Sequence, residues 1–364
     1  MIDALVPSLR AKVKGEVSVD LLDRKRVSRD SSIYELIPEV VVSPKDTTDV
    51  AAIVKFVLAN KASYPTLSLT PRSAGTDMSG ASIGTSILIE MTPHFNTIHG
   101  LKGNLLHVQP GAFMRDIDPV IFAASRQIGS VPASRAICTI GGMVGNNSGG
   151  EQSLRYGNTE RWVRQMEVVL GDGKKYTVKP LTKKQLNEKM AEGTYEGNLY
   201  KQTYELIEAN YDLIKNARPN VNKNSMGYNL WSVWDRETGI FDMTHLFTGS
   251  QGTLGVITDL VIETVPKAAH TGLLLVYLPS ITQLGEITET VMKHNPSTFE
   301  GFDDVTFNLG IRYFKTFRKQ LGTKTYLKEQ AQLLQSVAKF KGHLPNLLLM
   351  VEFEGENQSE VLKK

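Results

Sequence analysis

Residues 130–156 read SVPASRAICTIGGMVGNNSGGEQSLRY, and this stretch restricts the fold and function of the chain more than any other. It places glycine at five positions and sets small hydroxyl and amide residues among them. Glycine lets a backbone come close to a ligand, and the small polar side chains donate hydrogen bonds. The stretch therefore predicts a binding segment for a phosphate-bearing ligand.

The surroundings of this segment favour an anion. Residues 119–150 contain no Asp or Glu, while Arg126 and Arg135 are present. A flexible linker is the alternative interpretation. The glycines alternate with Ile140, Met143 and Val144, which are typical of a buried core rather than of a linker.

Composition narrows the class of protein. A chain of 364 residues has room for two or three domains, and 41% hydrophobic with 22% charged residues is typical of a globular protein. The net charge of +3 is too small to favour a nucleic-acid partner. The single cysteine, Cys138, excludes an internal disulfide and a cysteine-ligated cluster within the chain, and it fits a reducing compartment. We expect no signal peptide and no transmembrane segment, and hence a cytoplasmic protein that could attach to a membrane from outside.

Hydrophobic patterning predicts a mixed α+β fold with a domain boundary near residue 267. A helix at 46–60, capped by Asp46 or Thr47, should bury Val50, Ile53, Val54, Val57 and Leu58. Asp172-Gly173 predicts a hairpin turn. The predicted strands are 39–42, 67–70, 86–91, 105–109, 166–170, 176–178, 256–265, 273–278 and 347–353, and further helices are predicted within 183–216, 281–294 and 325–340.

Three glycine segments, predicted as loops at 71–80, 139–150 and 249–255, carry the functional prediction. None has the Gly-Lys-Ser/Thr ending of a nucleotide hydrolase or the G-x-G-x-x-G pattern of a Rossmann fold. A nucleotide would instead lie against backbone N–H groups, with Arg72 either as a countercharge or as an exposed side chain without a ligand role.

The ordered motifs PRSAGT (71–76), PASRAICTIGGMVGNNSGG (132–150) and GSQGTLGVIT (249–258) resemble the FAD-binding domain of the vanillyl-alcohol oxidase and p-cresol methylhydroxylase family. Within that family the chain is most similar to the branch that contains glycolate oxidase and D-lactate dehydrogenase. The resemblance implies a leader at 1–37, a two-subdomain FAD-binding domain at 38–266, and an incomplete α+β substrate cap at 267–364.

The resemblance also implies which residues hold the cofactor. The first segment, Arg72 to Asp77 with Ser79, would bind the pyrophosphate. The second would line the flavin and hold the ribityl chain and the pyrophosphate. The third would contact the adenine or the flavin edge. The implied set is Arg72, Ser73, Ala74, Gly75, Thr76, Asp77, Ser79, Pro132, Ser134, Cys138, Thr139, Gly142, Asn146, Asn147, Ser148, Gly149, Gln251, Gly252, Thr253, Gly255, Val256 and Ile257.

Two departures qualify this assignment. Gln251 stands where the family pattern has Glu, so a charge is missing there. The first segment reads Ser-Ala-Gly-Thr without the histidine that tethers flavin in some relatives, so we expect non-covalent FAD. Residues 222–230 resemble a basic segment of large FAD proteins that continue into an iron–sulfur domain.

The other reactive residues give little indication of a catalytic or metal-binding role. We expect Cys138 to be a buried hydrophobe, and of the histidines only His245, just before the third segment, is worth following. No H-x-H or H-x-x-x-H pair occurs, so we expect no metal site. Tyr156 and Tyr228 could face the flavin or simply pack, and Trp231 and Trp234 fit a core or lid. The catalytic base and the substrate-binding arginine are expected beyond residue 364.

The function implied by the resemblance is FAD-dependent oxidation of a D-2-hydroxy acid of the lactate, glycolate or 2-hydroxyglutarate class, with hydride passing to flavin N5. Electrons would go to a quinone, a cytochrome or an iron–sulfur partner rather than to NAD. Two alternatives stay open: a non-redox flavin transferase of the ether-lipid synthase type, and a non-catalytic FAD-binding fragment.

Overall fold

The computed structural model describes residues 4–221, 223–321 and 346–364. The strands are β1 (Glu16–Ser18), β2 (Val40–Ser43), β3 (Leu69–Arg72), β4 (Ile87–Glu90), β5 (Ile98–Lys102), β6 (Leu105–Val108), β7 (Arg126–Gln127), β8 (Val163–Val169), β9 (Lys175–Val178), β10 (Leu181–Thr182), β11 (Trp234–Asp235), β12 (Ile240–Phe241), β13 (Val256–Glu263), β14 (Val265–Pro266), β15 (His270–Leu278), β16 (Thr298–Asp303) and β17 (Leu347–Gly355). The helices are α1 (Val6–Arg10), α2 (Leu21–Arg26), α3 (Thr47–Asn60), α4 (Met114–Phe122), α5 (Ile140–Gly145), α6 (Ser153–Tyr156), α7 (Lys183–Ala191), α8 (Tyr195–Ala209), α9 (Tyr211–Asn216), α10 (Thr244–Phe247), α11 (Leu284–Met292), α12 (Asp304–Arg312), α13 (Phe314–Leu321) and α14 (Gln358–Lys363).

The chain divides into two compact units, Met1–Lys267 and Ala268–Lys364. The mixed α+β class is confirmed. Within the described residues, no helix combines the length and the apolar character needed to cross a bilayer. The predicted helix at 325–340 lies outside the described residues.

A four-stranded sheet of order β1-β2-β4-β3 organises the first part of the larger unit. Strands β2, β3 and β4 run parallel, and β1 joins the edge antiparallel. Parallel strands are buried on both faces, which explains why the consecutive residues Val40 and Val41 of β2 and Ile87 and Leu88 of β4 are all nearly inaccessible. The carboxyl end of β3 leads directly into the first glycine segment.

Helix α3 begins as predicted, because the Asp46 carboxylate accepts hydrogen bonds from the Thr48 and Asp49 amides at 2.9 and 3.1 Å. Its predicted buried face is wrong at one position: Leu58 is 59% exposed, while Phe56 is 2% exposed. The helix is rotated because the buried Asp49 carboxylate faces inward. It accepts hydrogen bonds from the backbone amides of Lys14, Gly15 and Lys45. This rotation carries Leu58 into solvent.

A five-stranded antiparallel sheet of order β5-β6-β13-β8-β9 forms the second layer of this unit. Strand β13 alternates buried and half-buried residues along its whole length, as a strand with one core face should. The predicted hairpin between β8 and β9 is confirmed, with Gly173 at φ +70°. The inner face packs with α4, α5, α7 and α8 in one core, and a second core lies around α3 and the four-stranded sheet.

The second glycine segment is not the loop that its composition predicts, because its first half is helix α5. Thr139 caps this helix by accepting a hydrogen bond from the Gly142 amide at 3.3 Å. Ile140, Met143 and Val144 are buried, as predicted. Their burial stabilises a helix that three glycines would disfavour, since most helical stability in proteins comes from packing.

The smaller unit contains an antiparallel sheet of order β15-β17-β16. Its core joins Val291 of α11, Val361 of α14, and Val351 and Phe353 of β17. The sequence pattern predicts strands β15 and β17, but it does not predict β16, α12 or α13.

Candidate functional site

A cleft of about 730 Å³ opens in the larger unit, where the three glycine segments meet. This volume falls in the range of small-molecule and cofactor sites. The lining residues are Ser31, Pro71, Arg72, Ser73, Ala74, Gly75, Thr76, Asp77, Met78, Ser79, Ala81, Ser82, Met91, Pro110, Pro132, Ala133, Ser134, Cys138, Thr139, Gly141, Gly142, Met143, Gly145, Asn146, Ser148, Gly149, Lys223, Ser225, Gln251, Gly252, Gly255, Val256 and Ile257. Residues far apart in the sequence thus form one surface, and every residue of the implied cofactor set lines it except Asn147 and Thr253.

The first segment is shaped by a buried arginine. Arg72 is 8% exposed, and its guanidinium donates to the Arg29 carbonyl at 2.8 Å and to the Ser82 carbonyl at 3.2 Å. Burial lowers the pKa of Arg72. The alternative of an exposed Arg72 is wrong: the side chain holds the segment in its curve while its surface contributes positive charge to the cleft.

Gly75 is needed for this arrangement. Its φ is +68°, and a Cβ built there would lie 2.1 Å from Arg72 Nη2. The Asp77 carboxylate accepts from the Ser79 amide at 3.2 Å and from the Ser79 hydroxyl. Its negative charge is therefore used to close the turn.

The third segment fastens the other two together. The Gln251 amide donates to the Gly145 carbonyl at 2.9 Å, and its side-chain Nε2 lies 3.0 Å from Ser79 Oγ and 3.3 Å from Asn146 Oδ1. Gly252 has φ +78°, and a Cβ there would lie 2.3 Å from Pro71 Cγ. Gln251 is thus a neutral bridge across the cleft wall.

Asn147 turns away from the cleft into a polar network beneath it. Its side chain exchanges hydrogen bonds with Glu160, at 3.1 Å to the carboxylate and 3.0 Å from the amide. The Ser225 hydroxyl donates to the Asn147 carbonyl at 2.8 Å, and Asn158 donates to the Asn224 carbonyl at 2.6 Å. Asn147 is not among the residues that line the cleft, and its contacts position Ser225 and the neighbouring Lys223 there.

Thr253 is also outside the lining. Its hydroxyl donates to the Ser250 carbonyl at 2.6 Å and lies 2.8 Å from the Tyr228 hydroxyl. This pair ties the third segment to residues 223–229. Tyr228 therefore has a structural partner and does not line the cleft.

The sequence reasoning missed Lys223 and Ser225 as lining residues, although it singled out residues 222–230. It also missed the apolar side chains of Met78, Met91 and Met143. Lys223 could have been singled out as a basic residue within residues 222–230. Nothing in the local sequence, however, indicates that these residues lie next to the second glycine segment.

Arg126 and Arg135 do not contribute to the cleft. Arg135 makes a bidentate ion pair with Asp118 at 2.7 and 2.8 Å, and Arg126 donates to Thr264 Oγ1 at 2.6 Å. The acid-free stretch that contains them is therefore not a source of free positive charge. Among the described residues, the positive groups that line the cleft are Arg72 and Lys223.

Cys138 is 2% exposed and lines the cleft wall. Burial raises the pKa of its thiol, so the neutral form dominates near neutral pH. The expectation of a small buried hydrophobe agrees with this environment.

The remaining reactive residues lie away from the cleft. His245 Nε2 is 3.6 Å from the Asp242 carboxylate. Tyr156 packs edge-on against Trp162, with ring centroids 6.2 Å apart. Trp234 is buried with Tyr204 and Phe241.

The lining suits a long, amphipathic and anionic ligand. The hydroxyls of Ser73, Thr76 and Ser148 can donate hydrogen bonds, and Val256 and Ile257 supply an apolar wall. At Gly145 a built Cβ would meet no atom within 4 Å, so this position opens a space in the cleft that any side chain would occupy.

Comparison with known proteins indicates FAD, which is a long, amphipathic and anionic ligand of this kind. Residues 38–179 match the family model described as FAD binding domain. D-2-hydroxyglutarate dehydrogenase of Escherichia coli strain K12 is 31% identical over 257 residues, which cover 70% of this chain and 25% of that protein. Glycolate oxidase subunit GlcD of Bacillus subtilis strain 168 is 26% identical over 278 residues, covering 75% of this chain and 47% of the relative.

The fold has a counterpart among solved structures. Alkyldihydroxyacetonephosphate synthase superposes over 100% of this chain and 58% of its own, with a TM-score of 0.68 and 16% identity. At that identity the likeness concerns the fold alone. The chain spans about a quarter of the length of the D-2-hydroxyglutarate dehydrogenase and about half of the glycolate oxidase protein.

Proposed function

We propose that residues 38–179, which match the family model described as FAD binding domain, bind FAD, and that the protein is an FAD-dependent oxidoreductase acting on D-2-hydroxy acids. The single observation that carries the proposal is the cleft in which three sequence-distant glycine segments meet. The substrate class rests on the relatives at 25–31% identity.

FAD, when bound, supplies a two-electron acceptor at flavin N5 and so does the redox chemistry. The chain's own residues bind and orient it. Ser73, Thr76 and Ser79 would hold the pyrophosphate with Arg72 behind them, and Thr139, Gly142 and Ser148 would lie along the ribityl chain and flavin. Gln251 would keep the opposite wall in place.

We infer that FAD is held without a covalent link. The first segment reads Ser-Ala-Gly-Thr, with Thr76 directly after the glycine, where a tethering histidine would be needed. Cys138 is the one thiol in the chain, and burial keeps it protonated, which disfavours its attack on a flavin. The protein should therefore release intact FAD when it unfolds.

We assign cofactor binding and substrate binding to different units of the chain. We propose residues 38–266 as the FAD-binding part and residues 267–364 as part of a substrate cap. The electron acceptor in this proposal is a quinone, a cytochrome or an iron–sulfur centre rather than NAD.

Anaerobic mixing tests the activity. FAD-loaded protein is mixed with D-2-hydroxyglutarate, D-lactate or glycolate, and the oxidised flavin absorbance is followed. We expect at least one of the three to bleach the flavin, and L-2-hydroxyglutarate, the matched control, to leave it oxidised.

The outcome separates the proposal from a non-redox transferase, because only net oxidation of the substrate leaves reduced flavin. If dithionite bleaches the bound flavin while all three hydroxy acids leave it oxidised, the proposed activity is refuted.

A further inference from the structure

Two histidines and one carboxylate meet on the half-exposed face of the five-stranded sheet. His99 on β5 and His107 on β6 point their Nε2 atoms at Asp259 on β13, at 3.2 and 2.5 Å from its two carboxylate oxygens. The two imidazole rings lie with centroids 4.2 Å apart. One ligand atom from each of the three residues falls within 4.8 Å of the others.

The strand geometry brings these residues together across 160 positions of sequence. Strands β5, β6 and β13 are neighbours in the sheet order. The pairing of β5 with β6 shifts between Ile98 and Gly100, so that His99 is the extra residue of a β-bulge. A bulge re-aims a side chain, and here it leaves Ile98 and Leu101 packed on the core while His99 turns to the same face as His107.

The local charge favours a cation at this place. Asp259 stands directly opposite Glu167 of β8, and like charges on directly opposed residues destabilise a sheet. Lys175 pairs with Glu167 at 2.9 Å. The two rings that face Asp259 lie beside each other, with their planes tilted by 32°.

We propose that His99, His107 and Asp259 form a binding site for a divalent transition-metal ion of the Zn²⁺ class. Imidazole with carboxylate is the donor set that such ions prefer, whereas Ca²⁺ and Mg²⁺ prefer oxygen alone. Tetrahedral zinc at about 2.0–2.1 Å from each ligand needs ligand atoms about 3.4 Å apart. The two Nε2 atoms lie 3.2 and 2.5 Å from the Asp259 carboxylate, and one ligand atom of each residue lies within 4.8 Å of the others, so side-chain rotations would bring the three donors to this spacing.

The ion would join three strands, since each ligand comes from a different one. It would fasten the β5–β6 hairpin to β13 and leave one coordination position for water. This site is separate from the flavin proposal, because none of its ligands lines the cleft. The spacing rule that predicts no metal site overlooks it, since the ligands are neighbours only through strand pairing.

Competition titration tests the site on the whole, FAD-loaded chain after treatment with a chelator. Zn²⁺ is titrated against a chelating indicator dye, and we expect one tight equivalent in the unaltered protein. His107→Gln and Asp259→Asn should each weaken binding by at least about tenfold, because even changes to supporting residues cost 10–100-fold. Co²⁺ should show the visible absorption of a low-coordinate site, which the same variants abolish.

His94→Gln is the matched control, because His94 pairs with the carboxylate of Glu16 at 2.7 Å but belongs to no such cluster of ligands among the described residues. It should leave zinc binding unchanged. Far-UV circular dichroism and retained flavin absorbance verify folding. His99→Gln replaces either ligand variant if that variant does not fold. Equal zinc affinity in wild type and the ligand variants, or no tight equivalent at all, would show that Asp259 only hydrogen-bonds the two histidines and would overturn the proposal.

Discussion

The Gly145→Ala substitution separates the stability of the protein from its affinity for FAD. Gly145 is the last residue of α5 and lines the cleft, and a built Cβ meets no protein atom within 4 Å. The fold therefore has room for the methyl group. Alanine in place of a helical glycine should stabilise the protein without FAD by up to about 0.5–1 kcal/mol.

The same methyl group would occupy space that the cofactor needs. Overpacking by a methyl-sized group costs about 1–3 kcal/mol, which corresponds to a roughly 5- to 150-fold rise in the Kd for FAD. The two effects have opposite signs, so a general loss of structure cannot imitate them.

Two measurements check this prediction. Urea denaturation of the FAD-free protein gives the stability change, and quenching of flavin fluorescence gives the Kd. Gly285→Ala in α11 is the control, since a Cβ there also meets no atom within 4 Å and the residue does not line the cleft. A Kd for Gly145→Ala within twofold of wild type would refute the placement of FAD against α5.

Three further substitutions test the framework around the cleft. Arg72→Met should cost about 1.5–3 kcal/mol, because the Arg29 and Ser82 carbonyls lose a charged donor. A stability loss near zero in urea denaturation would contradict the structural role of the buried Arg72 side chain. Asp46→Ala should cost about 1 kcal/mol at neutral pH through loss of the helix cap. The pKa of Asp46 falls from 3.8 to about 2 on folding, chiefly through its bond with Lys14, so the stability difference between wild type and this variant should be full above pH 3.8 and shrink as pH falls toward 2. Phe56→Ala should cost about 3–5 kcal/mol and Leu58→Ala under about 0.5 kcal/mol, and equal costs in thermal unfolding would contradict the observed helix face.

Much of the fold follows from local signals. The cap at Asp46 and the apolar spacing after it predict α3, and Asp172-Gly173 predicts the hairpin between β8 and β9. The same spacing misplaces Leu58, because the inward Asp49 rotates the helix through hydrogen bonds to a segment over 30 residues earlier in the chain. A periodic pattern fixes the existence of a helix more firmly than its orientation.

The candidate site also combines features that local sequence predicts with features that depend on tertiary contacts. Glycine composition marks the three segments, but it wrongly predicts a loop where tertiary packing of Ile140, Met143 and Val144 makes α5. Asn147 looks like its neighbours in sequence, yet Glu160 turns it away from the cleft. Lys223 enters the lining only because the polar network beneath the cleft holds its segment there.

The proposed metal site is the clearest feature that the spacing of residues in the sequence could not predict. His99 and His107 are eight residues apart, and no helical or strand repeat relates them to each other or to Asp259. Their proximity depends on the pairing of β6 with β13 and on one bulge in β5.

Hydrogen exchange with and without FAD tests the central claim most directly, because it reports on each glycine segment by itself. We predict that one bound FAD slows exchange together in peptides covering 71–82, 132–149 and 249–257, and leaves 99–107 unchanged. Slowing in only one of the three segments, or only in parts of the chain outside them, would contradict a single cofactor held where they meet.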